Sequence, residues 1–288
     1  MGTVIHPHIP VLHAIVLGIT QGLSEFLPIS SSGHLILVPW LFGWHELDNF
    51  KDLNKTFDVA LHVGTFIGAV AYFWRDLTVL VPAGLRAAVR RRIETRDERL
   101  AWLLLLSAVP GAVLGALFET VIEDNLGQPW LIAVMLIVFG LVLLAADRAV
   151  RRLEYEDFHV RHAVVMGVAQ AAALQPGVSR SGVTITAGRF LGFDRDAAAR
   201  LSFLMSLPII GGAALYKGLK LAGNGGIPAG TGPAFFWGIV ASAITGVVAI
   251  YLVFQVVRTR SFAPFVVYRV LAGLAVLGII ISGFRPAT

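Results

Sequence analysis

Two apolar stretches of this 288-residue chain are long enough to cross a bilayer, yet turn-forming and polar residues break each in the middle. The first, 11–43, carries Pro28-Ile29-Ser30-Ser31-Ser32-Gly33, and the second, 161–192, carries Pro176-Gly177-Val178-Ser179-Arg180-Ser181-Gly182. Proline and glycine stop helices. Each half is too short to span, because a spanning helix needs roughly 20 mostly apolar residues. Irregular backbone at membrane depth is tolerated only where it is buried in protein or lines a wet cavity. Both segments therefore read as re-entrant helical hairpins that turn near the midplane. Six uninterrupted apolar segments lie at 56–74, 100–118, 129–146, 199–217, 234–256 and 265–283. The composition agrees: 56% of residues are hydrophobic and only 14% charged, against about 25% charged in a soluble domain. The expected fold is an all-α polytopic membrane protein with six transmembrane helices and two re-entrant hairpins.

The two broken segments match each other at a constant offset of 149: Ala14 with Ala163, Gly18 with Gly167, Gln21 with Gln170, Ser30 with Ser179, Ser32 with Ser181 and Gly33 with Gly182. Each is followed by three spans, so the chain reads as one membrane domain of two repeats, 1–150 and 151–288. A hairpin returns to its own side while three spans change sides. The second repeat is then inverted relative to the first, as in many transporters.

Charge sets the expected orientation. Residues 75–99, read as a loop, hold seven arginines against four acids, and Arg148, Arg151, Arg152 and Arg161 crowd another connection. Residues 119–128, read as the opposite loop, hold Glu119, Glu123 and Asp124 and no base. Arginine-rich loops face the cytoplasm, which puts both termini outside, with Lys217 and Lys220 as a mild violation. The net charge of +5 thus reads as orientation and lipid contact, with no nucleic-acid partner. The chain has no cysteine, which excludes disulfides and thiolate metal sites.

The chemistry concentrates at the two turns. Helix N-termini expose unpaired N–H groups and a partial positive charge. Ser30, Ser31, Ser32 and Gly33 precede one half-helix, and Ser179, Ser181 and Gly182 precede the other. Arriving from opposite faces, they would form a double cradle for phosphate. Arg180 adds a planar fork suited to phosphate oxygens, and a charge at this depth costs roughly 2.5–3.5 kcal/mol. Glu25, with Gln21 four residues earlier on the same face, would hold Mg²⁺ or Ca²⁺ against the phosphates, or pair with Arg180. His34 is a proton donor, a nucleophile or a structural hydrogen-bonding group. Asp58 and His62, again four apart, orient a metal-bound water, hold His34, or simply stabilise their helix. Arg189, Asp194, Arg195, Asp196 and Arg200 lie near the expected cytoplasmic mouth, and most of them read as interfacial charges.

The segments "QGLSEFLPISSSGHL" (21–35), "FDVALHVGT" (57–65), "PGVSRSGVT" (176–184) and "RLSFLMSLP" (200–208) resemble the bacterial undecaprenyl-diphosphatase family, also known for bacitracin resistance. The resemblance implies removal of the terminal phosphate of undecaprenyl diphosphate at the outer face of the cytoplasmic membrane. It also implies a divalent-cation cofactor and a polyprenyl diphosphate partner in the bilayer, with a homodimer left open. Carried over by motif position, Glu25, Ser31, His34 and Arg180 form the core, supported by Gln21, Ser30, Ser32, Ser179 and Ser181. The leading expectation makes Ser31 the nucleophile and His34 the acid–base. The first motif is often Glu/Gln-x-x-x-Glu. Here Gln21 stands first, so the motif has only one carboxylate. The rival from another class is a transporter or flippase of an anionic polyprenyl lipid, which needs binding groups but no nucleophile. The type-2 phosphatidic acid phosphatase pattern fits less well, because Thr186 stands where that family places a histidine.

Overall fold

The computed structural model describes residues 9–46, 50–149, 153–223 and 226–287, and all of its long elements are helices. In chain order these are α1 (Val11–Phe26), α2 (Ser31–Phe42), α3 (Lys51–Tyr72), α4 (Trp74–Arg90), α5 (Arg96–Asn125) and α6 (Pro129–Asp147). There follow α7 (Val160–Ala171), α8 (Arg180–Phe190), α9 (Arg195–Gly223), α10 (Gly232–Thr259) and α11 (Ala263–Ile281). Short 3₁₀ turns occur at Tyr155–Asp157 and Ala172–Leu174. Five helices, α5, α6, α9, α10 and α11, are long and apolar enough to cross a membrane. The pair α3 and α4 adds a sixth candidate, bent by 91°. The chain is a multi-pass membrane protein.

The predicted segments fall on these helices, but two predicted loops do not exist as loops. The arginine-rich stretch folds mostly as α4, which turns off α3 at Phe73 and ends at Arg91 in the left-handed region (φ 54°). Its buried residues, Leu80, Ala83 and Ala87, recur at helical spacing. Such an amphipathic helix is at home along a membrane surface. The predicted acidic loop is the continuation of α5 to Asn125. Arg151 and Arg152, counted in the orientation argument, lie outside the described residues.

Both interrupted segments break where expected. The halves α1, α2, α7 and α8 have 16, 12, 12 and 11 residues, too short to cross at about 1.5 Å per residue. α1 stops because Leu27 precedes Pro28 and is driven to extended backbone (φ −60°, ψ 135°). α2 and α8 then start in the same unusual way. Their N-caps, Ser30 and Ser179, have φ 80° and 76°, and each hydroxyl accepts a hydrogen bond from the glycine N–H three residues on. Among the described residues only Arg91 shares that positive φ without being glycine.

Packing crosses between the halves of the chain. α1 lies on α10, α7 lies on α5, α3 packs on both α9 and α10, and α6 pairs with α11. The α1–α10 approach is close because Gly18 faces the carbonyl of Gly238 and Gly22 faces Thr245, so a Cβ at either would collide. At one end, Asp147 on α6 takes a two-point ion pair from Arg195 at 2.6 and 2.8 Å and a hydrogen bond from the Phe262 N–H. Arg189, fully buried on α8, donates to the carbonyls of Phe193, Asp147 and Ala149. These two arginines are therefore internal ties rather than interfacial charges. Burial is favourable because the guanidinium finds carbonyl and carboxylate acceptors.

Candidate active site

The two turns meet. Ser30 Oγ accepts from the Gly177 N–H at 3.0 Å as well as from its own Gly33 N–H. Ser181 Oγ donates to the Leu27 carbonyl at 3.2 Å. Position 28, the repeat equivalent of Gly177, is proline and has no N–H. Ser179 therefore lacks the mirrored cross-turn donor, and its hydroxyl lies 3.2 Å from Ser181 Oγ instead. Gly33 is needed because a Cβ there would stand 3.2 Å from the Gly177 nitrogen and 3.0 Å from Ile132.

A residue outside every motif clasps the junction. Arg269 on α11 is fully buried. It donates to Pro28 in the first turn (3.0 Å) and to Gly177 and Val178 in the second (2.8 and 3.1 Å). It also donates to Met135 and Leu136 on α6 (3.3 and 3.0 Å). Five carbonyls satisfy one guanidinium, and the arrangement binds two turns 149 residues apart to a common donor. The sequence did carry a signal, an arginine in the middle of an apolar span. A charge inside a membrane segment points to function by default.

In front of the junction lies a cavity of about 280 Å³. Glu25, Ser30, Ser31, Ser32, His62, Gln170, Ser179 and Arg180 line it, with aliphatic residues of α3 and α9 closing the rest. Glu25 is its hub. Oε1 is ion-paired with Arg180, while Oε2 accepts from Ser31 Oγ at 2.6 Å and from Gln21 Nε2 at 2.9 Å. His62 Nε2 stands 3.6 Å from the same Oε2. His62 Nδ1 lies 2.8 Å from the Asp58 backbone carbonyl, which places the proton on Nδ1 and leaves Nε2 facing the carboxylate. Asp58 reaches His62 through its backbone, and its carboxylate is not part of the cavity wall.

His34 is placed differently from the expectation that made it the acid–base of the cavity. Nδ1 bonds the Ser30 carbonyl at 2.7 Å and Nε2 meets the Tyr268 hydroxyl at 2.7 Å. Donation from Nδ1 makes Nε2 the acceptor of the tyrosine proton. His34 does not line the cavity; it holds the backbone of the turn from behind. Gln21, Gly33, Ser181 and Gly182 also sit behind the wall.

Among the described residues, the buried side-chain oxygens of Gln21 and Gln170 (Oε1 of each) have no hydrogen-bond partner. The Gln21 amide is oriented by its N–H bond to Glu25, and that of Gln170 by its bond to the Ser107 carbonyl at 3.3 Å. Gln170 lines the cavity, and its side-chain oxygen is buried without a partner. A carbonyl oxygen in a site built for anions can only take a donor or a cation. In the sequence Gln170 stands out only as the repeat partner of Gln21, with no chemistry attached.

Known proteins resemble this chain along nearly its whole length. The model for "Bacitracin resistance protein BacA" matches residues 14–275. A protein of Pelobacter propionicus named undecaprenyl-diphosphatase is 51% identical over 274 residues, 94% of this chain and 98% of the relative. Proteins of the same name from Pelotomaculum thermopropionicum and Geobacter sulfurreducens are each 47% identical, covering 93% of this chain and 96% and 97% of the relatives. With the family model spanning all but the ends and half of all positions shared with a full-length relative, the chain belongs to the bacitracin resistance protein BacA family, whose curated relatives are named undecaprenyl-diphosphatase.

Proposed function

We propose that this chain is an undecaprenyl-diphosphatase that removes the terminal phosphate of undecaprenyl diphosphate inside the membrane and so regenerates the lipid carrier for cell-wall polymers. The observation that carries this reading is Ser31 Oγ held 2.6 Å from a buried carboxylate that is itself paired with Arg180. A nucleophile, its proton acceptor and a phosphate-binding cation thus share one wall. While Arg180 occupies Glu25, the carboxylate is a weak base. An entering diphosphate draws the guanidinium onto its own oxygens, and Glu25 becomes free to take a proton. Ser31 Oγ attacks the terminal phosphorus and passes its proton to Glu25. The bond from phosphorus to the bridging oxygen breaks, undecaprenyl phosphate leaves, and phosphoserine remains. Once Glu25 has passed its proton on, water held by Gln170 attacks the phosphoserine and gives a proton to Glu25; the bond from Ser31 Oγ to phosphorus breaks, Ser31 takes that proton from Glu25, and phosphate departs. Arg180, the Ser179 and Ser30 caps and the helix N-termini stabilise the transferring phosphoryl, which is mainly an electrostatic task. His62 relays the proton held by Glu25. His34 acts at one remove, by fixing Ser30 and hence Ser31.

A divalent cation fits this donor set in a limited way. Among the described residues no group of three or more His, Asp or Glu could hold one. Gln21 Oε1 lies behind the wall, so the Glu25 carboxylate is what the cavity offers a cation. Mg²⁺ or Ca²⁺ bound there, its shell completed by phosphate oxygens and water, would neutralise charge on the diphosphate.

We read the fold as an inverted repeat with α1–α2 and α7–α8 as re-entrant hairpins. Support comes from the 149-residue offset, the matched φ of Ser30 and Ser179, and the exchanged packing of α1 on α10 and α7 on α5. The arginines of α4 support a reading with that helix at the cytoplasmic surface of the bacterial inner membrane and with the cavity served from the outer side.

The test is phosphate release from undecaprenyl diphosphate in detergent, with EDTA and with restored Mg²⁺ or Ca²⁺, for wild type, Glu25→Gln and Arg180→Ala. Metal-restored release that is lost in both variants, with ³²P trapped on Ser31 during turnover, supports the reading. Binding of the lipid with no release under any metal would make the chain a lipid transporter.

A further inference from the structure

Far from the turns, α4 leaves α3 at 91° and shows four different edges along its length. α3 has 22 residues, enough to cross a bilayer, so the turn lays α4 along the membrane plane. At 3.6 residues per turn, positions three, four, seven or eleven apart share an edge. Leu80, Ala83 and Ala87 form the edge buried against the protein. Leu77, Val81, Gly84 and Ala88 form a second, which borders an apolar groove shared with α3, α5 and α9. Trp74, Leu85 and Val89 form a third. They are 61%, 63% and 85% exposed, and no element covers them. Arg75, Arg86 and Arg90, each one residue further on, form the fourth, opposite the groove edge and interrupted only by Val79. Acids do not cancel this charge. Asp76 is paired with Arg200 on α9, and Glu98 accepts from the Glu94 and Thr95 N–H groups. Glu94 pairs with Arg90 and Arg92 at 3.5 and 4.0 Å on exposed side chains, where such pairs hold weakly. Arg75, Arg86 and Arg91 make no ion pair among the described residues.

We propose that α4 is a docking surface for anionic phospholipids. Trp74, Leu85 and Val89 enter the acyl region, and Arg75, Arg86, Arg90 and Arg91 hold the phosphodiester headgroups beside them. This binding is independent of the reaction at the turns. Charge complementarity identifies the occupant. A zwitterionic headgroup carries an ammonium beside its phosphate and offers the arginines no net attraction. A glycerol headgroup leaves the phosphate charge uncompensated. An acidic partner from solution would satisfy the arginines but leave Trp74, Leu85 and Val89 in water, whereas a bilayer buries them, which is favourable. Apolar and cationic edges side by side are what a helix lying in the interface requires, and a tryptophan at the bend suits the same depth.

The chain has no cysteine, so one introduced thiol can be labelled alone. Full-length protein carrying bimane on Val89→Cys would be reconstituted in phosphatidylcholine vesicles. Quenching by dibrominated phosphatidylglycerol and by dibrominated phosphatidylcholine would be compared at equal mole fraction, since bromine quenches only lipid-contacting labels. Both lipids should quench. Phosphatidylglycerol should show a relative association constant at least about fivefold higher, the worth of roughly one arginine beside an anionic surface. The preference should fall to about one in Arg75→Gln/Arg86→Gln/Arg90→Gln. It should also shrink in about 1 M salt, which reads the same contacts without substitution should the triple variant not fold. Bimane on Ile244→Cys, exposed on α10, should be quenched by both lipids without preference. Absence of quenching at Val89→Cys would overturn the proposal and give the face to a partner from solution. Equal quenching by the two lipids would overturn it too, as would a preference that survives loss of the arginines or appears equally at Ile244→Cys.

Discussion

At Glu25, four neighbours compete for two carboxylate oxygens, and that crowding makes the surrounding side chains separable by experiment. Gln170→Leu removes the unpartnered acceptor without adding charge. If its oxygen holds the hydrolytic water, the second half-reaction slows by about 10- to 100-fold, the worth of one good hydrogen bond. Phosphoserine then accumulates in rapid-quench samples; no accumulation would remove Gln170 from the mechanism. His34→Ala should depress kcat far more than KM, because it frees the Ser30 carbonyl and lets Ser31 drift from Glu25. Tyr268→Phe, which loses only the hydroxyl behind His34, should act in the same direction by about tenfold or less. A Tyr268→Phe effect confined to KM would contradict a positioning chain. At this scale the sequence was informative about residue type and less so about direction. Ser31, Glu25 and Arg180 stand together as their motifs imply. His34 turns its ring away because the Ser30 carbonyl and the Tyr268 hydroxyl hold it, and local pattern does not reveal a partner 234 residues on.

Among the elements, the half-helices depend on two serines held at positive φ, a backbone state that costs on the order of 1–3 kcal/mol in a residue with a Cβ. Arg269 supplies the compensating bonds. Arg269→Met would leave five carbonyls short of a donor at about 1–3 kcal/mol for each one that stays buried and unpaired. The expected outcome is a fall in stability of more than about 3 kcal/mol, read as a lowered detergent-melting temperature together with lost turnover. A melt unchanged from wild type would show that the turns hold themselves. The breaks in both interrupted segments were legible because Pro28, Gly177 and Gly182 act locally. The identity of the clasp was not, since nothing in local pattern says which span will deliver its charge to a turn 91 residues away. Likewise the arginines at 75–92 mark a surface equally well as loop or helix. Only the apolar spacing of Leu80, Ala83 and Ala87 distinguishes α4, and charge density drew attention from it.

For the whole molecule, the exchanged packing means that neither half buries its own broken segment: α1 needs α10 and α7 needs α5. Separately expressed halves 1–150 and 151–288 should each insert yet show no phosphate release, and co-expression should restore it. Activity from either half alone would contradict an intertwined core. The clasp on α11 also has a consequence for the order in which the protein is made. Ribosomes deliver helices from the N-terminus onward, so both turns and the entire cavity wall are in the membrane before residue 269 has been synthesised. Until then the carbonyls of Pro28, Gly177 and Val178 wait without their shared donor. The nascent chain is inserted but unclasped, and α11 is the helix whose arrival completes the bonds to both turns.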